Sequence, residues 1–312
     1  MDNIERVERR LKLHDMRVLL SVVQAGSMHK AAERLGTSQP SVSRSISDIE
    51  HTLGVRLLDR SRRGVEPTPY GHAIIKRGVA VFDEIRQGVK DIEFLADPTV
   101  GELRIGCTDG AAAGPGLAVI DRLASRYPRI VFNIVTGGDL QLYRHVADRN
   151  VELAIAGIAG TIPDAFAVEK LFDDALVVAA GVRNPWTRRR KIELAELMNE
   201  AWALPPADSN PGRLLMEAFR SSGLAPPQRA IIAGSRFLRE RLMATGRYLS
   251  VSAGYSVAPP GHNPLIKPLA VELLGVRRPI VLITLRNRSL SPLAELFIKT
   301  AREVTRTLTK RK

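Results

Sequence analysis

The sequence predicts an α/β protein with a helical, winged N-terminal domain, one long linker helix and a two-lobed α/β C-terminal domain. Three observations support this prediction. Apolar residues recur at helical spacing through residues 11–53, and a single apolar stripe continues through residues 69–96. After Pro98, short apolar segments alternate with helical ones. A chain of 312 residues fits two or three domains.

Three short helices are predicted first, separated by glycines that end helices and serines that begin them. Gly26 ends the first helix and Ser27 begins the second, while Ser38 begins the third and Gly54 ends it. Pro40 falls in the first turn, where a missing N–H is tolerated. The predicted inward residues are Leu13, Met16, Leu20, Val23, Ala31, Ala32, Leu35, Val42, Ile46, Ile49 and Leu53.

A two-stranded wing and a long helix follow. Strands are predicted at residues 55–58 and 65–68, on either side of the basic loop Arg60–Gly64. The linker helix, residues 69–96, ends at Asp97-Pro98. A helix of this length with one apolar stripe needs a partner, as in a coiled coil. The predicted stripe is Ile75, Val79, Phe82, Ile85 (or Arg86), Val89 and Ile92.

The remaining residues, 99–312, predict a mostly parallel sheet with helices, which is large enough for two lobes. Lobe I is expected at about residues 99–174 and 270–312, and lobe II at about 175–269. The strand candidates are Leu103–Cys107, Val131–Val135, Leu153–Ala156, Ala175–Ala179, Ala201–Leu204, Ile231–Ala233 and Ile280–Leu285.

The helix–tight turn–helix at Met28–Leu53 carries the strongest functional signal. The small residues Ala31, Ala32 and Gly36 allow two helices to approach closely, and the second helix begins with a polar run. Gln39 can bond adenine at two positions, and Arg44 can bond guanine or a phosphate. Ser41, Ser43 and Ser45 can donate to phosphates or bases. The N-terminal domain, residues 11–68, is therefore predicted to bind double-stranded DNA.

The chain resembles the LysR-type bacterial transcription regulators. The matching residues are Ser27–Leu35 (SMHKAAERL), Ser38–Arg44 (SQPSVSR), Ile49, Glu50, Leu53, Gly54, Val55, Leu57, Arg60, Thr68 and Gly71. The resemblance implies a periplasmic-binding-protein-like effector domain over residues 99–312, dimers through the linker helix, commonly tetramers, and dyad-symmetric promoter DNA. It also implies a small-molecule effector between the lobes and contact with RNA polymerase.

Candidate site residues fall into two groups. The expected DNA contacts are Ser27, His29, Lys30, Ser38, Gln39, Pro40, Ser41, Ser43, Arg44 and, in the wing, Arg62 and Arg63. The expected effector contacts are Thr108, Thr136, Gly137, Ser209 and Asn210. Each of these five follows a strand or precedes a helix, where open α/β sheets bind ligands; each could equally be an ordinary cap or turn.

Composition excludes several classes of protein. Cys107 is the single cysteine, so an intramolecular disulfide and a Cys-rich zinc site are excluded; it is expected to be a buried small hydrophobe, with a redox switch as the alternative. The six histidines lack metal-ligand spacing, and the common phosphate-loop, nucleophile-elbow and zinc-protease motifs are missing. We expect a cytoplasmic protein without signal peptide, membrane span, metal or cofactor.

The positive charge does not concentrate in the predicted DNA-binding segment. The chain carries a net charge of +13, of which residues 1–98 hold only +2 and residues 99–312 hold +11. The run Arg188–Lys191 is expected to be a solvated loop, with attraction to DNA or to an anionic effector as alternatives. A rival interpretation remains, namely a small-molecule carrier or enzyme whose helical N-terminus only mediates assembly.

Overall fold

The computed structural model describes residues 3–61, 64–158, 160–257 and 263–309. The chain divides into two compact units, residues 1–88 and 89–312. One long helix runs through the boundary between them.

The first unit is helical with a two-stranded wing. Its elements are α1 (Asn3–Arg10), α2 (Leu13–Ala25), α3 (Met28–Leu35), α4 (Gln39–Leu53), β1 (Leu58–Ser61), β2 (Gly64–Pro67) and α5 (Pro69–Ala96). Gly26, Gly36 and Gly54 end α2, α3 and α4 in the left-handed conformation, as their positions in the sequence predict. The core includes Leu19, Val22, Ala31, Val42, Ile46 and Ile49, all at most 1% exposed.

The first strand of the wing lies three residues later than the sequence indicates. Residues 55–57 are not a strand, because the Glu50 carboxylate accepts hydrogen bonds from the N–H groups of Leu57 (2.7 Å) and Leu58 (3.2 Å). These bonds hold the chain against α4. Arg60 and Ser61, which were expected in the loop, therefore lie in β1.

The apolar residues of α5 serve two surfaces, whereas the sequence predicted one stripe. Ile75 and Phe82 are half-buried against the core of the first unit. Ile85, Val89 and Ile92 are exposed, together with Val81 and Leu95, which the predicted stripe left out.

The second unit alternates strands and helices. Its strands are β3 (Val100–Cys107), β4 (Arg129–Thr136), β5 (Leu153–Gly157), β6 (Phe166–Gly181), β7 (Ala201–Leu204), β8 (Ala230–Ile232), β9 (Tyr248–Ala253), β10 (Ile266–Pro268) and β11 (Arg277–Leu285). Its helices are α6 (Asp109–Ala111), α7 (Leu117–Arg126), α8 (Asp139–Ala147), α9 (Asn210–Ser221), α10 (Arg236–Ala244) and α11 (Pro292–Thr309), with short 3-10 and π turns between them.

These strands form a nine-stranded sheet that is mixed, so the expectation of a mostly parallel sheet was wrong. The order is β4-β3-β5-β11-β6-β9-β7-β8, with β10 also pairing with β6. β3 pairs in parallel with β4 and β5, and β7 with β8 and β9. β6 and β11 run antiparallel to their neighbours because the chain crosses between lobes along β6 and returns along β11.

The 16-residue strand β6 connects the lobes. Its first part, Phe166–Ala175, pairs with β11, and Leu176–Ala180 pairs with β9. The return crossing lies near Val276, because Leu269, Leu273 and Val276 are buried in the core of lobe II. Residues 270–276 therefore belong to lobe II, and not to lobe I as the sequence suggested. Leu176 N–H donates to the Val276 carbonyl, 3.3 Å away, where the two crossings meet.

Candidate functional sites

The first candidate site is the N-terminal half of α4. Ser38 caps the helix, its Oγ accepting from Ser41 N–H at 3.4 Å, and Pro40 lies in the first turn. Gln39 and Arg44 are exposed. Ser38, Pro40 and Ser41 are exposed as well, and Ser43 is half-buried. Ser45 is buried against the core and cannot meet a base edge, so its expected contact was wrong.

Helix α3 supports α4 from behind. Ala31 and Ala32 are buried, and Thr37 N–H donates to the Ala32 carbonyl at 3.0 Å, which forms the tight turn between the helices. Ser27 occupies the N-cap position of α3 but makes no capping bond. His29 and Lys30 are exposed on the first turn of α3, and His29 Nε2 lies 3.3 Å from Glu33 Oε1.

The wing places beside α4 an arginine that the sequence analysis did not propose as a DNA contact. Arg60 Nη1 donates to Ser43 Oγ at 3.4 Å. If the sequence analysis had begun the hairpin at Leu58 instead of Val55, it would have placed Arg60 in a strand, as the structure does. Arg62 and Arg63 lie outside the described residues. Val65 N–H donates to the Gly26 carbonyl at 3.1 Å, which fixes β2 to the turn before α3.

The second candidate site is a cleft of about 590 Å³ between the two lobes of residues 89–312. All five residues singled out from strand and helix ends line it: Thr108, Thr136, Gly137, Ser209 and Asn210. Thr108 and Ser209 are N-caps; their Oγ atoms accept from Ala111 N–H (3.4 Å) and Gly212 N–H (3.2 Å). The topology therefore brings these segments together around one cavity.

Asn210 fastens the lobes to each other. Its Nδ2 donates to Asp139 Oδ2 (2.7 Å) and to the Gly157 carbonyl (2.6 Å), both in lobe I. Its Oδ1 accepts from Arg278 Nη1 at 3.3 Å. Both donor hydrogens are engaged, and the residue is 7% exposed. Burial raises the pKa of the Asp139 carboxyl, which the Asn210 hydrogen bond and the nearby arginines oppose.

Sequence reasoning missed the arginines of the cleft, which are Arg213, Arg236, Arg239 and Arg278. Arg236 pairs with Glu240 at 2.6 Å and also donates to the Asp109 carbonyl at 3.0 Å, a second contact between the lobes. Arg239 Nη1 donates to the carbonyls of Ala233 (2.6 Å) and Gly234 (3.1 Å). For two of them the sequence did contain a signal, since Arg236 and Arg239 lie one helical turn apart directly after the N-cap Ser235.

Cys107 lies at the end of β3 and is fully buried. Burial raises the pKa of its thiol to about 12, so the reactive thiolate is scarce at neutral pH. This favours the small-hydrophobe interpretation over the redox switch.

The described residues contain neither a membrane-spanning helix nor a metal-binding cluster. No helix there is long and apolar enough to cross a membrane. Among the same residues, no group of three or more His, Cys, Asp or Glu side chains could hold a metal ion.

Similar structures support the fold. Full-length CbnR complexed with its target DNA aligns with a TM-score of 0.54 at 20% identity, covering 95% of this chain and 100% of that one. A full-length OxyR variant from Pseudomonas aeruginosa aligns with a TM-score of 0.66 at 20% identity, covering 95% of both chains. At this identity the likeness shows the fold alone.

Sequence comparisons show the family. The small neutral protease regulatory protein of Streptomyces coelicolor is 27% identical over 284 residues, covering 89% of this chain and 83% of that protein. The transcriptional regulator GbpR of Azospirillum brasilense is 25% identical over 317 residues, covering 98% and 90%. The family described as "Bacterial regulatory helix-turn-helix protein, lysR family" matches residues 13–72, and "LysR substrate binding domain" matches residues 96–306. The chain therefore belongs to the LysR family of bacterial transcriptional regulators, which are ligand-responsive DNA-binding proteins and not enzymes.

Proposed function

We propose that this regulator binds dyad-symmetric promoter DNA as a dimer through the exposed half of α4, and that a small molecule in the inter-lobe cleft tunes this binding. The exposed polar surface of α4 is the observation that carries the proposal. An assembly helix would present apolar residues there. Here Gln39 and Arg44 are exposed, and Arg60 reaches the same surface through Ser43.

The proposed DNA contacts divide by chemistry. Gln39 and Arg44 are suited to base edges, since an amide can pair with adenine and a guanidinium with guanine. Ser27, His29, Lys30, Ser38, Pro40, Ser41 and Ser43 lie where they would position the phosphate backbone. Arg62 and Arg63 are proposed as wing contacts from the sequence, and Arg60 joins them. CbnR, which shares this fold, was solved in complex with its target DNA, and this supports DNA as the partner.

Helix α5 is proposed to join two copies of the chain. Val81, Ile85, Val89, Ile92 and Leu95 leave an apolar stripe exposed along the helix. Covering such a stripe with a second helix removes apolar surface from water, at roughly 25 cal/mol per Å². Replacement of Ile92 by aspartate is expected to produce monomers in light scattering; an unchanged dimer would contradict this proposal.

The cleft is proposed as the effector site, with Thr108, Thr136, Gly137 and Ser209 as contacts. Asn210 lines the same cleft, but its hydrogen bonds within the protein indicate that it holds the lobes together. Coupling between effector and DNA must be reciprocal. The family resemblance also supports a tetramer and contact with RNA polymerase, and the promoter target supports a cytoplasmic location. We expect no bound cofactor.

Arg44→Ala provides the test of DNA recognition. We expect a loss of about 1–3 kcal/mol, or roughly 5–150-fold, on promoter DNA and a smaller loss on a scrambled duplex. Arg126→Ala, which removes an exposed arginine of the second unit, is the matched control and should change neither affinity. Gel-shift titration at fixed salt measures both. Equal losses on the two duplexes would mean that Arg44 contacts phosphate only, and no loss on either would overturn the proposed α4 interface.

A further inference from the structure

We propose that the effector is a small organic anion whose acidic group is received by Arg239 at the lobe II wall of the cleft. This inference rests on the proposed function only in placing a small molecule in the cleft. It adds the chemical class of that molecule and the residue that selects it.

Arg239 is a buried guanidinium with no carboxylate within ion-pair distance in the described part of the chain, although the charges of Asp109 and Glu240 act on it from farther away. It is 7% exposed and lines the cleft, and its Nη1 donates to two backbone carbonyls. Its Nε is buried and has no hydrogen-bond partner among the described residues. A buried donor without an acceptor is costly, and a buried charge more so, unless another group compensates it. An anion in the cleft would supply both the acceptor and the opposite charge.

Two of the other three arginines of the cleft also have no carboxylate within ion-pair distance in the described part of the chain. Of the four, only Arg236 lies within ion-pair distance of a carboxylate in the described part of the chain. Arg213 donates to the Asp208 backbone carbonyl at 2.6 Å, and Arg278 to the Asn210 amide oxygen at 3.3 Å. The Nε of Arg278 is a second buried donor without an acceptor among the described residues.

Four acidic residues also line the cleft, but among the described residues none of them lies within ion-pair distance of Arg239. They are Asp109, Asp139, Asp208 and Glu240. Glu240 pairs with Arg236, and the Asp139 carboxylate accepts from Asn210. Asp109 and Asp208 are exposed to solvent, which weakens their interaction with the arginines.

Helix dipoles add positive potential at the same place. The cleft is lined by residues at the first turns of α8, α9 and α10, which contain nine, twelve and nine residues. Each N-terminus carries a partial positive charge of roughly +0.5. The positive ends of these dipoles therefore lie at the wall of the cleft that Arg239 also lines.

The remaining walls favour an organic body over an inorganic ion. Leu140, Leu176, Met243 and Val251 line the cleft beside the charged groups. Its volume of about 590 Å³ is within the range of small-molecule sites. A molecule with an acidic group on an apolar carbon skeleton would interact with both the charged and the apolar residues of the cleft.

Matched pairs of acids and neutral isosteres test the proposal on the full-length chain. The probes are benzoate with benzamide, succinate with succinamide, and glycerol 1-phosphate with glycerol, each followed by thermal melting and titration calorimetry. We expect acids to raise the melting temperature while their neutral partners leave it unchanged. The phosphate ester distinguishes carboxylate from phosphate as the acidic group. Neutral probes that bind as tightly as acids, or the failure of every anion, would overturn the inference.

Variants on α10 connect the anion to Arg239. Arg239→Met should weaken acid binding at least tenfold, while Arg241→Met, which removes an exposed arginine of the same helix, should change it less than twofold. Equal effects of the two variants would contradict the assignment. Arg239→Lys retains the positive charge, and its acid binding is measured instead if the methionine variant does not fold. Promoter binding without effector, measured in parallel, tests the proposed function separately, since it requires α4 and not Arg239.

Discussion

Replacement of Asn210 by alanine is expected to loosen the lobes of the C-terminal unit. The substitution removes three hydrogen bonds, which join α9 to Asp139, to the Gly157 carbonyl and to Arg278. It also leaves a carboxylate, a carbonyl and a guanidinium to find new partners in a buried position. The sheet, the helices and both lobe cores are untouched, so the effect reports on the inter-lobe connection.

The size of the effect follows from the chemistry of these bonds. Two of them involve a charged partner and are worth about 1.5–3 kcal/mol each, and the carbonyl bond is worth about 0.5–1.5 kcal/mol. Water that enters the cleft after the substitution will satisfy some of the exposed groups. We therefore expect a loss of about 2–4 kcal/mol, equivalent to roughly 4–16 °C in the melting transition of a domain of this size.

Urea unfolding of the full-length chain, followed by circular dichroism, measures the change in unfolding free energy. Asn150→Ala replaces an exposed asparagine in the same unit and should change stability by less than about 0.5 kcal/mol. Asn210→Asp retains the shape of the side chain but places a carboxylate beside Asp139, so it should destabilise the protein more at pH 7.5 than at pH 5. If Asn210→Ala were as stable as the Asn150 control, Asn210 would not hold the lobes together.

Three further predictions concern other parts of the chain. Because burial raises the pKa of Asp139 above 3.8, the folded state retains a proton that the unfolded state has released, and stability falls as the pH rises through this window. Asp139→Asn, which keeps the hydrogen-bond acceptor, should remove this fall in unfolding measurements between pH 4 and 7.5. An identical pH profile for the two proteins would contradict the assignment. Cys107, with a thiol pKa raised to about 12 by burial, should react with a thiol reagent only after denaturation, and labelling of the native protein at the rate of free cysteine would refute its burial. Gly71→Ala should destabilise the winged unit by about 2–3 kcal/mol, because the added Cβ would lie 2.1 Å from the Leu57 carbonyl oxygen. Chemical denaturation measures the change in unfolding free energy. An alanine variant as stable as the wild type would show that the backbone shifts at low cost.

Much of the first unit could be predicted because its signals are local. The cap at Ser38, the left-handed glycines and the period of Val42, Ile46 and Ile49 depend on residues a few positions apart. The start of β1 could not be predicted, because the Glu50 carboxylate holds residues seven and eight positions later. Local patterns also wrongly predicted a DNA contact for Ser45, whose burial depends on packing against the rest of the unit.

Two strand errors in the second unit share a physical cause. β9 was missed because Ser250 and Ser252 suggest a polar segment, yet both are buried, and Ser250 Oγ donates to the Ala203 carbonyl at 2.5 Å. The first half of β6 was missed because its charged residues suggest a loop, although it pairs along its length with β11. In both cases a distant partner strand satisfies the backbone, and no local pattern records that partner.

Local patterns in the amino-acid sequence were enough to predict the two-part organisation, the exposed polar start of α4 and the strand and helix ends that face the cleft. These features follow from helical period, capping and turn chemistry, which act between near neighbours. Long-range packing was needed to show that Asn210 joins the lobes and that Arg213, Arg239 and Arg278 border the same cavity. Those relations connect segments up to 71 positions apart, such as Asp139 and Asn210, and arise when the chain crosses twice between the lobes.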